Sequence, residues 1–284
     1  MRFAAIDVKG RTGLALLEGE HLLAAFRDEA AYPGDLESLI EGGPERLSAA
    51  RDVLRQGTRV RLDGATFLPP LSRHKILCVG LNYVEHSKES GFALPTYPTI
   101  FARFASSLVG HGAPLTRPRV STQLDFEGEL VAVIGKKGRH IPRERALDHV
   151  IGYSVFNDGS IRDYQKKSPQ WTVGKNFDGT GAFGPYLVTS DELPAGARGL
   201  KLETRLNGEV VQSASTSDMV FDVAALVSIM SEAMTLSPGD VFVTGTPSGV
   251  GMARTPPLFM KAGDVCTVEI ERVGKLENRI VDEV

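Results

Sequence analysis

A β-rich α+β fold is predicted for this chain. Three observations lead there: short apolar runs recur along most of its length, turn residues separate them, and helical spacing is confined to a few segments. The chain begins with strand-like runs over 3–8, 12–17 and 21–26. A helical stretch follows over 36–55, broken at Gly42-Gly43-Pro44, and then a strand-like run over 59–62. Phe67-Leu-Pro-Pro70 closes this module, since consecutive prolines favour an extended connection. We therefore expect a small N-terminal α/β domain over 1–70 and a larger domain over 71–284.

The second part changes character. Strand-like runs fall at 76–80, 130–134, 150–156, 185–189, 201–206, 240–244 and 265–270. Asn207-Gly208, Pro238-Gly239-Asp240 and Ala262-Gly263-Asp264 punctuate them, and the first predicts a hairpin with 210–212 as its return strand. Helices are expected only at 142–149 and at 223–234, where Val223, Leu226, Val227, Met230 and Met234 follow helical spacing. A sandwich, roll or barrel is the architecture such a pattern builds.

Composition narrows the function classes. The 284 residues carry a net charge of −3 with no basic cluster, so no nucleic-acid partner is expected. No apolar stretch reaches the ~18 residues of a membrane span. Asp7 and Lys9 interrupt any signal-peptide core, and Cys78 and Cys266 read as buried free thiols. A cytoplasmic protein is expected.

Chemistry concentrates in four places. In Asp125-Phe-Glu-Gly-Glu-Leu130, Glu127 and Glu129 are two residues apart at the mouth of an apolar strand, so they share a face. Two buried like charges need a proton or a cation, and a hard divalent ion suits oxygen ligands; a solvated acidic pair is the alternative. Asp158 follows the run 150–156 and supplies a possible third oxygen ligand. Arg162 and Asp163 nearby could simply pair with each other. His86 and Glu89 stand at i and i+3, neighbours on a helical turn, where a carboxylate can orient an imidazole and raise its basicity. Lys175 sits in the Gly-rich segment 172–185, and Thr246 in Thr244-Gly-Thr246-Pro-Ser-Gly-Val-Gly251 could receive a substrate carboxylate.

Five ordered motifs resemble the fumarylacetoacetate hydrolase superfamily over roughly 72–275. They are Gly80-x-Asn-Tyr-x-x-His86-x-x-Glu89, Asp125-x-Glu127-x-Glu129-Leu, Asn157-Asp158-x-x-x-Arg162-Asp163-x-Gln165, Gly174-Lys175-x-Phe177-Asp178 and Thr244-Gly-Thr246-Pro-x-Gly-Val250. The resemblance implies a mixed β-sandwich roll, a homodimer, and Mg²⁺ or Mn²⁺ held by Glu127, Glu129 and Asp158. It implies small 2-oxo acid substrates, which members hydrolyse, decarboxylate or isomerise.

On that basis the chain is expected to hydrolyse the C–C bond of an acylpyruvate-like 2,4-dioxo acid, as in aromatic catabolism. His86, oriented by Glu89, is the expected base for the attacking water. Lys175 is the second cationic group, Gln165 bonds substrate or water, and Arg103, Arg162 and Thr246 bind substrate. Oxaloacetate decarboxylation, hydroxymuconate-type isomerisation and non-catalytic ligand binding are the alternatives. The segment from Gly80 through Gly91 to Pro98 is expected to act as a lid, helical when closed.

Overall fold

The computed structural model describes residues 1–89 and 94–284. One large sheet dominates. From one edge its strands run Thr58–Arg61, His21–Phe26, Arg11–Glu18, Arg2–Val8, Gly181–Thr189, Val150–Asp158, Gly128–Ile134, Val241–Val243, Ile76–Gly80 and Thr99–Arg103. The N-terminal strands therefore continue the sheet that carries the rest of the chain. Antiparallel pairing of Arg2 with Val188 and Phe3 with Leu187 makes the join. A second, five-stranded sheet contains the predicted Asn207-Gly208 hairpin, with Lys201–Leu206 paired to Glu209–Ser215. Asn207 and Gly208 both have positive φ, as this tight turn requires.

The strand Gly128–Ile134 is buried throughout, because both its faces are covered. Leu130, Ala132 and Ile134 join a core with Leu202, Val268 and Leu276 of the second sheet. Val131 and Val133 join another core with Phe3, Leu39, Leu47 and Phe156. The helices Leu36–Glu41 and Pro44–Leu54 contribute to that second core, and the Gly42-Gly43 break falls where the sequence puts it. The helix Val223–Ala233 also forms as read, capped by Asp222, which accepts from the Ala225 N–H at 2.9 Å.

Several elements differ from expectation, among them the strands Thr99–Arg103 and Gly274–Asp282, which fall where no strand is expected. Residues Arg143–His149 form a tight 3-10 segment, confined between the extended Pro142 and the strand beginning at Val150. The strand read as 185–189 begins at Gly181, inside the Gly-rich segment. Cys78 and Cys266 are free and buried. Among the described residues no helix is long and apolar enough to cross a membrane.

A buried carboxylate ties the helix Leu36–Glu41 to the connection that follows Pro70. Glu37 accepts from the Ser72 N–H at 2.6 Å and the Arg73 N–H at 2.8 Å, and it also pairs with the Arg73 guanidinium. Substituting Glu37 by alanine leaves those donors without their charged acceptor. A loss of about 2 kcal/mol is expected in denaturant unfolding. A loss within a few tenths of a kcal/mol would mean that this latch does not hold the connection.

Candidate metal centre

Strand register builds the site. Antiparallel pairing sets Gly128 opposite Asn157 and Glu129 opposite Phe156, and the Asp158 N–H donates to the Glu127 carbonyl at 2.8 Å. Asp158 thus lies beside Glu127 across the strand pair. Glu127, Glu129 and Asp158 are all buried, and one oxygen from each lies within 4.8 Å of the others. Gly128, between the two glutamates, turns to the opposite face. A Cβ there would meet the Thr204 hydroxyl at 2.2 Å, so glycine lets the second sheet pack directly behind the carboxylates.

The three carboxylates are unequally compensated. The Lys175 ammonium is buried and lies 2.6 Å from both Glu127 and Asp158. Burial works against the Glu127 charge, yet Lys175 and Arg162 outweigh it and bring that carboxyl down to about 2. Burial likewise opposes the Lys175 charge, but Asp158 and Glu127 hold its pKa above the ordinary lysine value. Glu129 is different. Burial and the charges of Asp158 and Glu127 push its carboxyl well above the carboxylate range. The Gly245 N–H donates to it at 2.5 Å, and no salt bridge to it is found among the described residues. An all-oxygen, buried, acidic cluster that is short of positive charge around one member fits a hard divalent cation.

Two residues expected to bind substrate have their polar side-chain groups engaged within the protein. Arg103 is not among the residues lining the cleft at Glu127 and Glu129: its buried guanidinium is bonded to Asp158, to the Gly159 carbonyl at 3.2 Å and to the Thr180 hydroxyl at 2.9 Å. A Cβ on Gly181 would lie 2.7 Å from that guanidinium, so the glycine makes room for it. Thr246 lines the cleft, and its hydroxyl is already engaged within the protein. Its hydroxyl donates to the Gly128 carbonyl at 3.1 Å and accepts from the Gln212 amide at 2.8 Å.

Seven of the predicted residues, His86, Glu127, Glu129, Arg162, Gln165, Lys175 and Thr246, line one cleft of about 60 Å³, while Asp158 and Glu89 reach it through their contacts with Lys175 and His86. The His86 Nδ1 lies 3.4 Å from Glu89, whose carboxylate also accepts the Gly249 N–H at 3.0 Å. Burial would raise the Glu89 carboxyl, but His86 and that N–H outweigh it and hold it below its ordinary value. Asn82 anchors this segment to the strand end by donating to the Thr244 carbonyl at 2.7 Å. The expected lid is helical at Val84–Glu89, and its continuation over 90–93 lies outside the described residues.

Arg162 pairs not with Asp163 but with Asp125 at 2.8 Å and Glu127 at 2.6 Å, and it donates to the Gln165 side-chain oxygen at 2.9 Å. Its remaining terminal nitrogen is buried without a partner among the described residues. Asp163 accepts from the Ser121 hydroxyl at 2.6 Å instead. Asp125 has a role that strand spacing did not suggest. It accepts from Gly251 and Met252 N–H groups at 2.8 and 3.0 Å while holding Arg162, so it joins the loop 249–252 to the cleft. A larger cavity of about 660 Å³, between the N-terminal helices and the main sheet, does not contain the triad.

A family model described as fumarylacetoacetate (FAA) hydrolase C-terminal matches residues 75–281. The chain belongs to the fumarylacetoacetate hydrolase family. Among its relatives is a mitochondrial oxaloacetate tautomerase of Xenopus laevis, 41% identical over 275 residues, covering 95% of this chain and 86% of that protein. The fold matches a fumarylacetoacetate hydrolase from Exiguobacterium antarcticum at a TM-score of 0.86 and 37% identity, with full coverage of both chains. It also matches a maleylpyruvate hydrolase from Sphingobium, solved with manganese (II) ion and pyruvate, at a TM-score of 0.82, 26% identity and full coverage of both chains. The family thus contains isomerases as well as hydrolases, so the fold alone does not choose the reaction.

Proposed function

We propose that this chain interconverts the enol and keto forms of a small 2-oxo diacid of the oxaloacetate kind. The observation that carries this reading is a proton-moving pair, His86 with Glu89, whose imidazole lines the same cleft as Glu127 and Glu129, in a chain so similar to an oxaloacetate tautomerase. In the enol-to-keto direction, the C2 hydroxyl loses a proton and C3 gains one. His86 is the group assigned to the proton at C3. Glu89 engages its Nδ1 and fixes the tautomer, which leaves Nε2 to exchange the proton. The unpartnered nitrogen of Arg162 is a donor suited to a substrate carboxylate, and Gln165 orients that guanidinium. Lys175 keeps Glu127 ionised and also pairs with Asp158 at 2.6 Å. A Mg²⁺ or Mn²⁺ ion held by Glu127, Glu129 and Asp158 would supply electrostatic stabilisation of the charge that develops at the 2-oxo oxygen.

Acylpyruvate C–C hydrolysis is the second reading. It is favoured by the same His86–Glu89 pair, which can equally deprotonate a water, and by the likeness to the maleylpyruvate hydrolase. The decisive assay follows the enol absorbance of oxaloacetate and, in parallel, pyruvate release from acetylpyruvate and oxaloacetate, with Mg²⁺, Mn²⁺ or EDTA. Faster enol decay without pyruvate release is expected. Pyruvate from acetylpyruvate with unchanged enol decay would replace tautomerisation by hydrolysis. His86→Ala should slow the reaction by roughly 10²–10⁴-fold, the usual worth of a general acid–base group. Full activity in that variant would remove His86 from the proton path.

A further inference from the structure

We propose that Trp171 sets the length of the 2-oxo acid that the cleft accepts. The inference deepens the reading above and rests on its substrate class. Two unlike kinds of group line the cleft. Its polar lining groups are Glu127, Glu129, Arg162, Gln165, Lys175, His86 and Thr246, and its apolar ones are Val79, Gly80, Leu81, Phe101, Trp171 and Met252. A 2-oxo acid whose charged groups are held by the polar residues brings the methylenes of its chain against the apolar ones.

Trp171 is the largest of the apolar groups, and three contacts fix it. Its ring lies on the backbone of Gly80, where a Cβ would come within 2.3 Å of the indole. Its ring packs edge-on to Phe101, with centroids 5.6 Å apart and planes at 63°. Its carbonyl accepts the Lys175 N–H at 3.2 Å, so the short turn Thr172–Lys175 that delivers the buried ammonium also delivers the indole. Phe101 in turn lies under that ammonium, with its ring centre 4.9 Å from Nζ. The half-buried indole is thus held by the same elements that carry the charged groups. With about 60 Å³ enclosed, a rigid ring in this position admits short acids and penalises each added methylene.

The test uses the full-length, metal-loaded protein and unreactive straight-chain 2-oxo monocarboxylates, from pyruvate to 2-oxohexanoate, with binding measured by calorimetry. In the parent, affinity should fall by about tenfold or more per methylene once the chain reaches the wall, the discrimination typical of an apolar pocket. Trp171→Ala should flatten that series, and Trp171→Phe should lie between. The same ranking should appear in the kcat/KM ratio of longer over shorter acylpyruvates or enols. Trp171 is the chain's single tryptophan, so the parent's own fluorescence gives a second readout that needs no variant. Its emission should change on saturation with pyruvate. An identical length dependence in the parent and Trp171→Ala, or an unchanged emission at saturation, would overturn the role of Trp171 and leave the substrate class standing. If the parent bound none of these acids, the role of Trp171 would fall, and the enol-decay assay with oxaloacetate would decide the substrate class separately.

Discussion

Exchanging Glu129 for glutamine is expected to lower metal-dependent turnover by roughly 10²–10³-fold, the loss seen when one preorganised electrostatic group is removed. The metal-free protein should nevertheless be as stable as the parent, or more so. Glutamine keeps the shape of the side chain and an oxygen for the Gly245 N–H, which Glu129 accepts at 2.5 Å. It replaces the other oxygen by an uncharged amide, and so removes an ionised form that burial and the neighbouring Asp158 and Glu127 already disfavour. Lys175 and Arg162 serve Glu127, and Lys175 and Arg103 serve Asp158, whereas no salt bridge serves Glu129 among the described residues. Relief of like-charge repulsion in a buried site offsets whatever polar contact is weakened. Thermal unfolding of both proteins, with EDTA and with saturating Mg²⁺ or Mn²⁺, reads both halves of the prediction. The parent should gain about 2.7 kcal/mol at a metal concentration of 100 Kd, as linkage requires for a ligand that binds only the folded state. The variant should lose most of that gain. A metal-induced stabilisation retained in full by Glu129→Gln would exclude Glu129 as a ligand.

The acidic site was legible in the sequence because its geometry is local. Strand alternation puts Glu127 and Glu129 on one face, and a second carboxylate-ended strand brings Asp158 next to them through ordinary antiparallel pairing. The His86–Glu89 pair was legible for the same reason, as two side chains one helical turn apart. What the sequence hid depends on contacts between distant segments. Arg103 reads as a free cation, but the close approach allowed by Gly181 turns it inward to Asp158. Thr246 reads as an available hydroxyl, but Gln212, on a strand of the other sheet, engages it. The Gly-rich start of Gly181–Thr189 reads as a loop, because glycine is a poor strand former on propensity alone. Here the glycine serves close packing against the Arg103 guanidinium, and sheet pairing with Val150–Asp158 outweighs its intrinsic preference. Trp171 carries no polar signal, and only its seat on Gly80 brings it to the cleft.

Lys175→Met should produce the opposite pattern from Glu129→Gln, with a destabilisation of about 3–5 kcal/mol in EDTA. Methionine has a stem of similar length, so packing near Phe101 is largely kept and the change isolates the ammonium. That ammonium is the common partner of Glu127 and Asp158, at 2.6 Å from each, and its side chain is only 2% exposed. Without it, Asp158 keeps Arg103 and Glu127 keeps Arg162, but two further carboxylate oxygens are left buried without a partner. A divalent cation at the triad restores positive charge to the same oxygens, so the defect should be smaller in saturating Mg²⁺ or Mn²⁺ than in EDTA. The difference between the two conditions is therefore the informative quantity. Destabilisation of equal size with and without metal would mean that the cation and the ammonium do not share carboxylates, and the three-carboxylate assignment would have to be redrawn. A smaller defect with metal, alongside lost turnover, would divide the work of Lys175: stability from its ion pairs, which the metal can replace in part, and catalysis from its position in the cleft, which the metal cannot replace.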